Sequence, residues 1–261
     1  MLCSSLDTST SVSPKNECLP KAEKRTMSQI YVPAMTRAYH KRQLDGFAWT
    51  YFERLHPTFF DISKEADTAA DEYYNDTLNM SASDDFDDAA SVAEEAIEKG
   101  LTLYETLSLG EYTLTAAWHA TLYEFFEQQL RLFLYKELTN DYILDFRTFC
   151  TSMKDIKQCL EAHDFDVQTI STWSCIDELR LLCNVIKHSD GTSASDLRKR
   201  NPLLFKNMNG IDYLKLYQTT LLEISLDINE TTLRNYVGAL HAFWDEIPER
   251  NYSKDSRTVG A

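Results

Sequence analysis

Residues 111–138 (EYTLTAAWHATLYEFFEQQLRLFLYKEL) carry Trp118, Leu122, Phe125, Phe126, Gln129 and Phe133 at steps of three and four, with no glycine or proline between them. A repeat of that period makes a stripe along an α-helix and cannot alternate across a strand. The stretch predicts one long helix, and a helix of that length needs others to cover its stripe. The chain has only 7 glycines and 6 prolines. That is too few for a turn-rich sandwich or a glycine-cradled nucleotide fold. Neither GxGxxG nor GxxxxGK[ST] occurs. With 43% hydrophobic and 26% charged residues, the composition is that of a globular chain with ample core. The fold class expected is all-α, a helical bundle.

The same period recurs elsewhere. Leu44, Phe47, Ala48, Tyr51 and Leu55 predict a helix over 34–56, with a stop or kink at Pro57. A second helix is expected over 59–79. A third is expected from Ser81 or Ser83 through DDFDDAASVAEEAIEK, with acids in its first turn and Gly100 ending it. Shorter helices are expected over 143–162, over 174–189, and from Ser195 to the residues before Pro202. LLEISLDI (221–228) reads as a short strand or extended linker, and Asn229 as the cap of a last helix ending before Pro248. The organisation expected is a flexible tail over 1–30, an acidic helical segment over 31–100, a bundle over 101–248 and a polar tail over 249–261.

Charge is unevenly placed. From Asp61 to Lys99, thirteen acidic side chains face two lysines, a net −11 within a chain of −15. Segment 61–98 reads as a solvated helical face, or as a surface for a basic protein partner. The first 26 residues have no hydrophobic h-region, so they read as a tail or as sequence upstream of a start at Met27. No apolar run approaches the roughly 18–20 residues of a membrane span. Cys3, Cys18, Cys150, Cys159, Cys175 and Cys183 show no CxxC spacing. Free thiols in a cytoplasmic protein are expected, with no metal, no cofactor and no membrane association.

Residues 176–191 (IDELRLLCNVIKHSDG) carry the chemistry. On a wheel of about 100° per residue, Leu179, Leu181, Leu182, Cys183, Val185 and Ile186 fill a broad apolar arc that only Glu178 interrupts. Asp177, Arg180, Asn184, Lys187 and His188 form one narrow polar stripe. Arg180, Asn184 and His188 sit at i, i+4 and i+8 on one edge. A guanidinium, an amide, an ammonium and an imidazole suit phosphate binding, and an imidazole also moves protons near neutral pH. The other reading is a helix end whose Lys187 and His188 complement the dipole, with Gly191 as the left-handed terminator. Cys183 reads as core. From 187 to 206, Lys187, Arg198, Lys199, Arg200 and Lys206 against Asp190 and Asp196 give +3, a candidate RNA-binding patch or an ordinary exposed helix and loop.

The motif Asn184-Val185-Ile186-Lys187-His188 near the end of a late helix, preceded by the long helix at 111–138, resembles the HEPN superfamily. These are all-α nucleotide-binding and ribonuclease domains of bacterial toxin–antitoxin and antiphage systems. The resemblance covers residues 101–247. It implies a metal-independent endoribonuclease, an RNA-directed effector working as a homodimer. Its catalytic residues would be His188, Arg180 and Asn184, with Lys187, Arg198, Lys199 and Arg200 binding substrate. One departure stands out. The family's ribonucleases have four to six residues between an arginine and the histidine, whereas Cys183 precedes Asn184 here and Arg180 is separated from His188 by seven residues. Two alternatives are a non-catalytic HEPN-like module binding a nucleotide or partner protein, and a helical scaffold with an acidic docking surface.

Two other patterns carry less. Asp84-Asp85-Phe86-Asp87-Asp88 has the DDxxD spacing of isoprenoid synthases without a second metal cluster, and reads as a helix start. His119, Tyr123, Glu127 and Arg131 form an i+4 ladder, either a second catalytic edge or a polar margin of the core.

Overall fold

The computed structural model describes residues 28–80 and 86–254. The expected N-cap at Ser81 or Ser83, Cys3, Cys18, Asp84 and Asp85 lie outside them. The protein is all-α. Helix α1 (Ala34–Thr50) continues through a π-helical turn (Tyr51–Leu55) into a 3-10 turn (His56–Phe59), the break that Pro57 predicts. Then come α2 (Ile62–Met80), α3 (Phe86–Leu138), α4 (Met153–Ala162), α5 (Trp173–His188) and α6 (Thr192–Arg200). A small antiparallel pair, β2 (Asn207–Met208) and β3 (Ile211–Asp212), precedes α7 (Tyr213–Tyr217) and α8 (Glu230–Glu246). Strand β1 (Gln29–Tyr31) pairs antiparallel with β4 (Arg250–Tyr252).

The structure differs from the sequence expectation in three places. The two helices expected over 83–100 and 111–138 are one, and α3 passes through Gly100 without interruption. The boundary expected there falls inside a helix. Gly100 is a contact point: a Cβ on it would lie 3.0 Å from Ala70 Cβ and 3.1 Å from Ala66 O. Its missing side chain lets α2 lie against α3. Residues 143–152 are turns rather than helix, pinned by Arg131, whose Nε donates to Phe149 O at 2.8 Å and Nη2 to Phe146 O at 2.5 Å. Of the two readings of 221–228 the structure has the linker, which joins no ladder and makes a single bridge between Leu226 and Phe205. The polar tail expected from 249 begins as β4, with Asn251 buried and its Nδ2 donating to Pro248 O.

The second half of α3 is the centre of the bundle. Phe126, Leu130 and Leu134 are buried in one cluster with Leu182 of α5 and Phe243 of α8, whose ring meets Phe126 edge-on. Helix α1 runs antiparallel to it, with Phe47 stacked on Trp118 and Phe125 at one end and Gln43 bonded to Gln129 further along. Helix α8 closes over α1: Arg37 donates to Trp244 O and Asp245 O, and the His40 ring stacks on Trp244 at 4.1 Å. Asn229 caps α8 through a reciprocal box with Thr232, as its position predicts. The first half of α3 pairs with α2 as an antiparallel hairpin, with Tyr73 donating to Glu95.

Glycine tests this arrangement in two directions. Gly100→Val should cost about 1–3 kcal/mol, because a side chain there meets backbone. Gly46→Ala should gain about 0.5–1 kcal/mol, because Gly46 lies inside α1 and nothing stands within 4 Å of its added Cβ. Urea titration of both variants reads the two signs.

Protonation tests the core. His119 Nδ1 lies 2.8 Å from Thr115 O, so Nδ1 carries the hydrogen; Nε2 faces Thr232 Oγ1 at 3.0 Å. Burial holds the His119 imidazole at about 4, and His40 likewise. Both must stay neutral in the fold, while the unfolded chain takes up protons below about 6.5. The stability is therefore complete above pH 6.5 and is lost as pH falls toward 4, by roughly 3 kcal/mol for His119. Urea midpoints across this range should fall with acid, and His119→Gln should flatten the slope by about one proton.

Candidate functional site

Helix α5 is buried along the arc read from the wheel: Leu179, Leu181, Leu182, Cys183, Val185 and Ile186 are in the core. Glu178, which interrupts that arc, accepts from Tyr236 Oη at 2.8 Å and Asn201 Nδ2 at 3.2 Å. The stripe opens on a cleft of about 590 Å3 between α3, α4 and α5, lined by Arg180, Asn184 and Lys187 together. The Asn184 amide has no hydrogen-bond partner among the described residues. His188 does not line this cleft; it is exposed at the last position of α5. The positive-φ residue that ends α5 is Ser189 (φ 59, ψ −140), not Gly191, which is extended and serves as N-cap of α6. α6 starts so soon after α5 that the reversal falls two residues earlier.

Carboxylates answer much of the stripe. Asp177 Oδ1 accepts from Arg180 Nε at 2.8 Å, and its Oδ2 pairs with Arg200 Nη1 at 2.9 Å. Burial alone would raise Asp177, but the two guanidiniums outweigh it and hold the carboxyl below its usual range. Lys187 pairs with Glu124, and that bond raises the ammonium's pKa. The patch after α5 is also matched. Arg198 bonds Asp190 and Asp212, each at 2.6 Å, with its guanidinium over Phe205. Lys199 pairs with Asp196 on the surface. So Arg200 ties α6 to α5, and Arg198 ties α6 to the preceding turn and to β3.

Sequence reasoning missed the opposite wall. Lys154 and Lys157 of α4 line the cleft, and neither joins an ion pair among the described residues. The Ser152–Asp155 capping box fixes the start of α4, and the three-residue spacing puts both lysines on one side. Lys157 also lies over the Trp173 ring at 5.6 Å. Glu127 of α3 lines the cleft beside Tyr123. Burial raises its carboxyl, outweighing the Met153 amide and Tyr123 hydroxyl that face it. A carboxyl held toward its neutral form in a cleft is a candidate proton donor. The i+4 ladder was the available signal. It divides: Tyr123 and Glu127 reach the cleft, His119 is core, and Arg131 pins a loop.

Other reactive groups are closed off. Burial pushes the Cys183 thiol up to about 11, and it donates to Ala120 O, as a core side chain. Cys159, Cys175 and Cys183 are free thiols. Ser28 Oγ lies 2.9 Å from His163 Nε2, the spacing of a nucleophile and base, but the pair is buried and joins Tyr142 in tying down β1. Among the described residues, no group of three or more His, Cys, Asp or Glu is placed to hold a metal ion, and no helix is long and apolar enough to cross a membrane. Comparison of the chain with family models, curated proteins and solved structures finds no match.

The Arg198 arrangement separates structure from binding. Arg198→Ala leaves Asp190 and Asp212 facing each other and should cost roughly 2 kcal/mol. Lys199→Ala should change stability by less than about 0.5 kcal/mol. Thermal unfolding of the two variants checks both values.

Proposed function

We propose that the protein is a HEPN-like helical module whose α3–α4–α5 cleft binds an RNA phosphate or nucleotide, and that it acts as an RNA-directed effector of the bacterial antiphage or toxin–antitoxin kind. One observation carries this reading. Arg180, Asn184 and Lys187 of α5 share an open cleft with Lys154 and Lys157, two lysines without an ion-pair partner among the described residues. In an acidic chain, such lysines in one cleft with a free amide supply the charge and the donors that an anion needs.

Metal-independent cleavage is the second reading; His188 is exposed at the end of α5 outside the cleft, so a second copy would have to bring it to the phosphate. An imidazole at the open end of α5 is accessible to a phosphate held between two copies. There it would take the proton of a 2′-hydroxyl as that oxygen attacks the adjacent phosphorus. The P–O5′ bond would break, leaving a 2′,3′-cyclic phosphate, and an acid would protonate the departing O5′. The half-buried carboxyl of Glu127, which burial shifts toward its neutral form, is the candidate acid. Arg180 would have to loosen its bond to Asp177 to meet the phosphorane.

Titration with a short oligoadenylate RNA tests binding. Lys157→Glu and Asn184→Ala should each weaken it by about tenfold, roughly 1.4 kcal/mol, and equal affinity in both variants removes the proposal. Incubation of RNA with the protein in EDTA tests cleavage. Loss of activity in His188→Ala supports it. No cleavage by the unmodified protein, or equal cleavage by the variant, leaves a binding module only.

A further inference from the structure

Away from that cleft, two apolar surfaces lack a cover, and their chemistries are complementary. The first is a groove of about 660 Å3 between α1 and the second half of α3. Its apolar wall is made by Met35, Tyr39, Leu132 and Phe133, the first three well exposed. Arg42 and Lys136 stand on its rim, and neither takes part in an ion pair among the described residues. Its one carboxylate, Glu137, is engaged by the backbone N–H of Tyr31 at 3.1 Å. The floor is rigid: Gln129 accepts from Trp244 Nε1 and donates to His40 O and Gln43 Oε1.

The second surface is on the α2–α3 hairpin. Ile97, Leu101 and Tyr104 are exposed at i, i+4 and i+7 of α3, with relative exposures of 61%, 57% and 43%. Glu94, Glu98 and Glu105 are exposed along one side of that ridge. Three bulky apolar side chains in a row, starting inside the acidic segment at Ile97 and running past its end, are not what a solvated helical face presents. The ridge rises about 10 Å over its seven residues, as does the wall of α1 from Met35 to Arg42.

We propose that the ridge of one copy docks in the groove of a second copy, helix-in-groove, with Leu101 seated between Tyr39 and Leu132 and the ridge glutamates meeting Arg42 and Lys136. The contact is heterologous, since ridge and groove are different surfaces of the same chain. Charge complementarity selects this occupant: an unpaired cationic rim meets an unpaired acidic flank. Both surfaces are separate from the α3–α4–α5 cleft, so the proposal does not depend on RNA binding.

Sedimentation equilibrium of the full chain reads the contact. The unmodified protein should self-associate at tens of micromolar, less strongly as salt rises. Leu101→Asp and Leu132→Asp should each weaken association by about tenfold or more. Both changes sit on exposed positions, and circular dichroism checks that helix content is kept. An equimolar mixture of the two variants should associate again, because one intact ridge then meets one intact groove. Charge reversal gives an independent arm: Arg42→Glu should weaken association, and Glu98→Lys in the same chain should restore part of it. A monomeric unmodified protein, association untouched by either aspartate variant, or a mixture that stays monomeric overturns the proposal.

Discussion

A helix of 53 residues rises about 80 Å, whereas a compact domain of this chain length has a radius of gyration of about 18 Å. No single bundle can enclose such a helix. The protein covers α3 in two ways along its length. Its second half has bulky apolar residues on several sides, and α1, α5 and α8 bury it. Its first half has small residues on one side, Ala96 and Gly100, and one helix, α2, lies close against them. The placement of every other element follows from which half of α3 it serves. The cleft exists because α4 and α5 meet the bundled half and leave a trough between them.

Much of this was legible, for physical reasons. The α5 wheel named the buried arc correctly because a helix with polar residues on one narrow stripe has only one way to face a core. Asn229 and Pro57 read well because caps and prolines act within a turn of their own position. Gly100 did not. A glycine after an acidic, lysine-ended helix reads as a terminator, and nothing local distinguishes that from a glycine kept small for Ala66 and Ala70 on another helix. The β1–β4 pairing was equally hidden, since strands of three residues separated by most of the chain carry no periodicity.

The candidate site was half legible. Arg180, Asn184 and Lys187 do line one cleft, as their shared edge suggests. Their electrostatic surroundings were only partly readable: Asp177, which pairs with Arg180, is on the same stripe, but Glu124, which pairs with Lys187, comes from α3, and Arg200, the second cation on Asp177, comes from α6. A wheel shows which residues share an edge of one helix and is silent about what the neighbouring helices bring. The same limit hid Lys154 and Lys157. The result is a trough whose α5 cations are largely spoken for and whose α4 cations are not, so the anion-binding reading leans on α4 more than on the motif that first drew attention.

The pairing of β1 with β4 has a further consequence. Ser253 N–H donates to Ser28 O, and Lys254 N–H donates to Ala162 O. The polypeptide therefore enters and leaves the bundle at one shared doorway. Anything attached upstream of residue 28 and anything attached downstream of residue 254 would begin as next-door neighbours, and a short bridge could join the two ends into a ring.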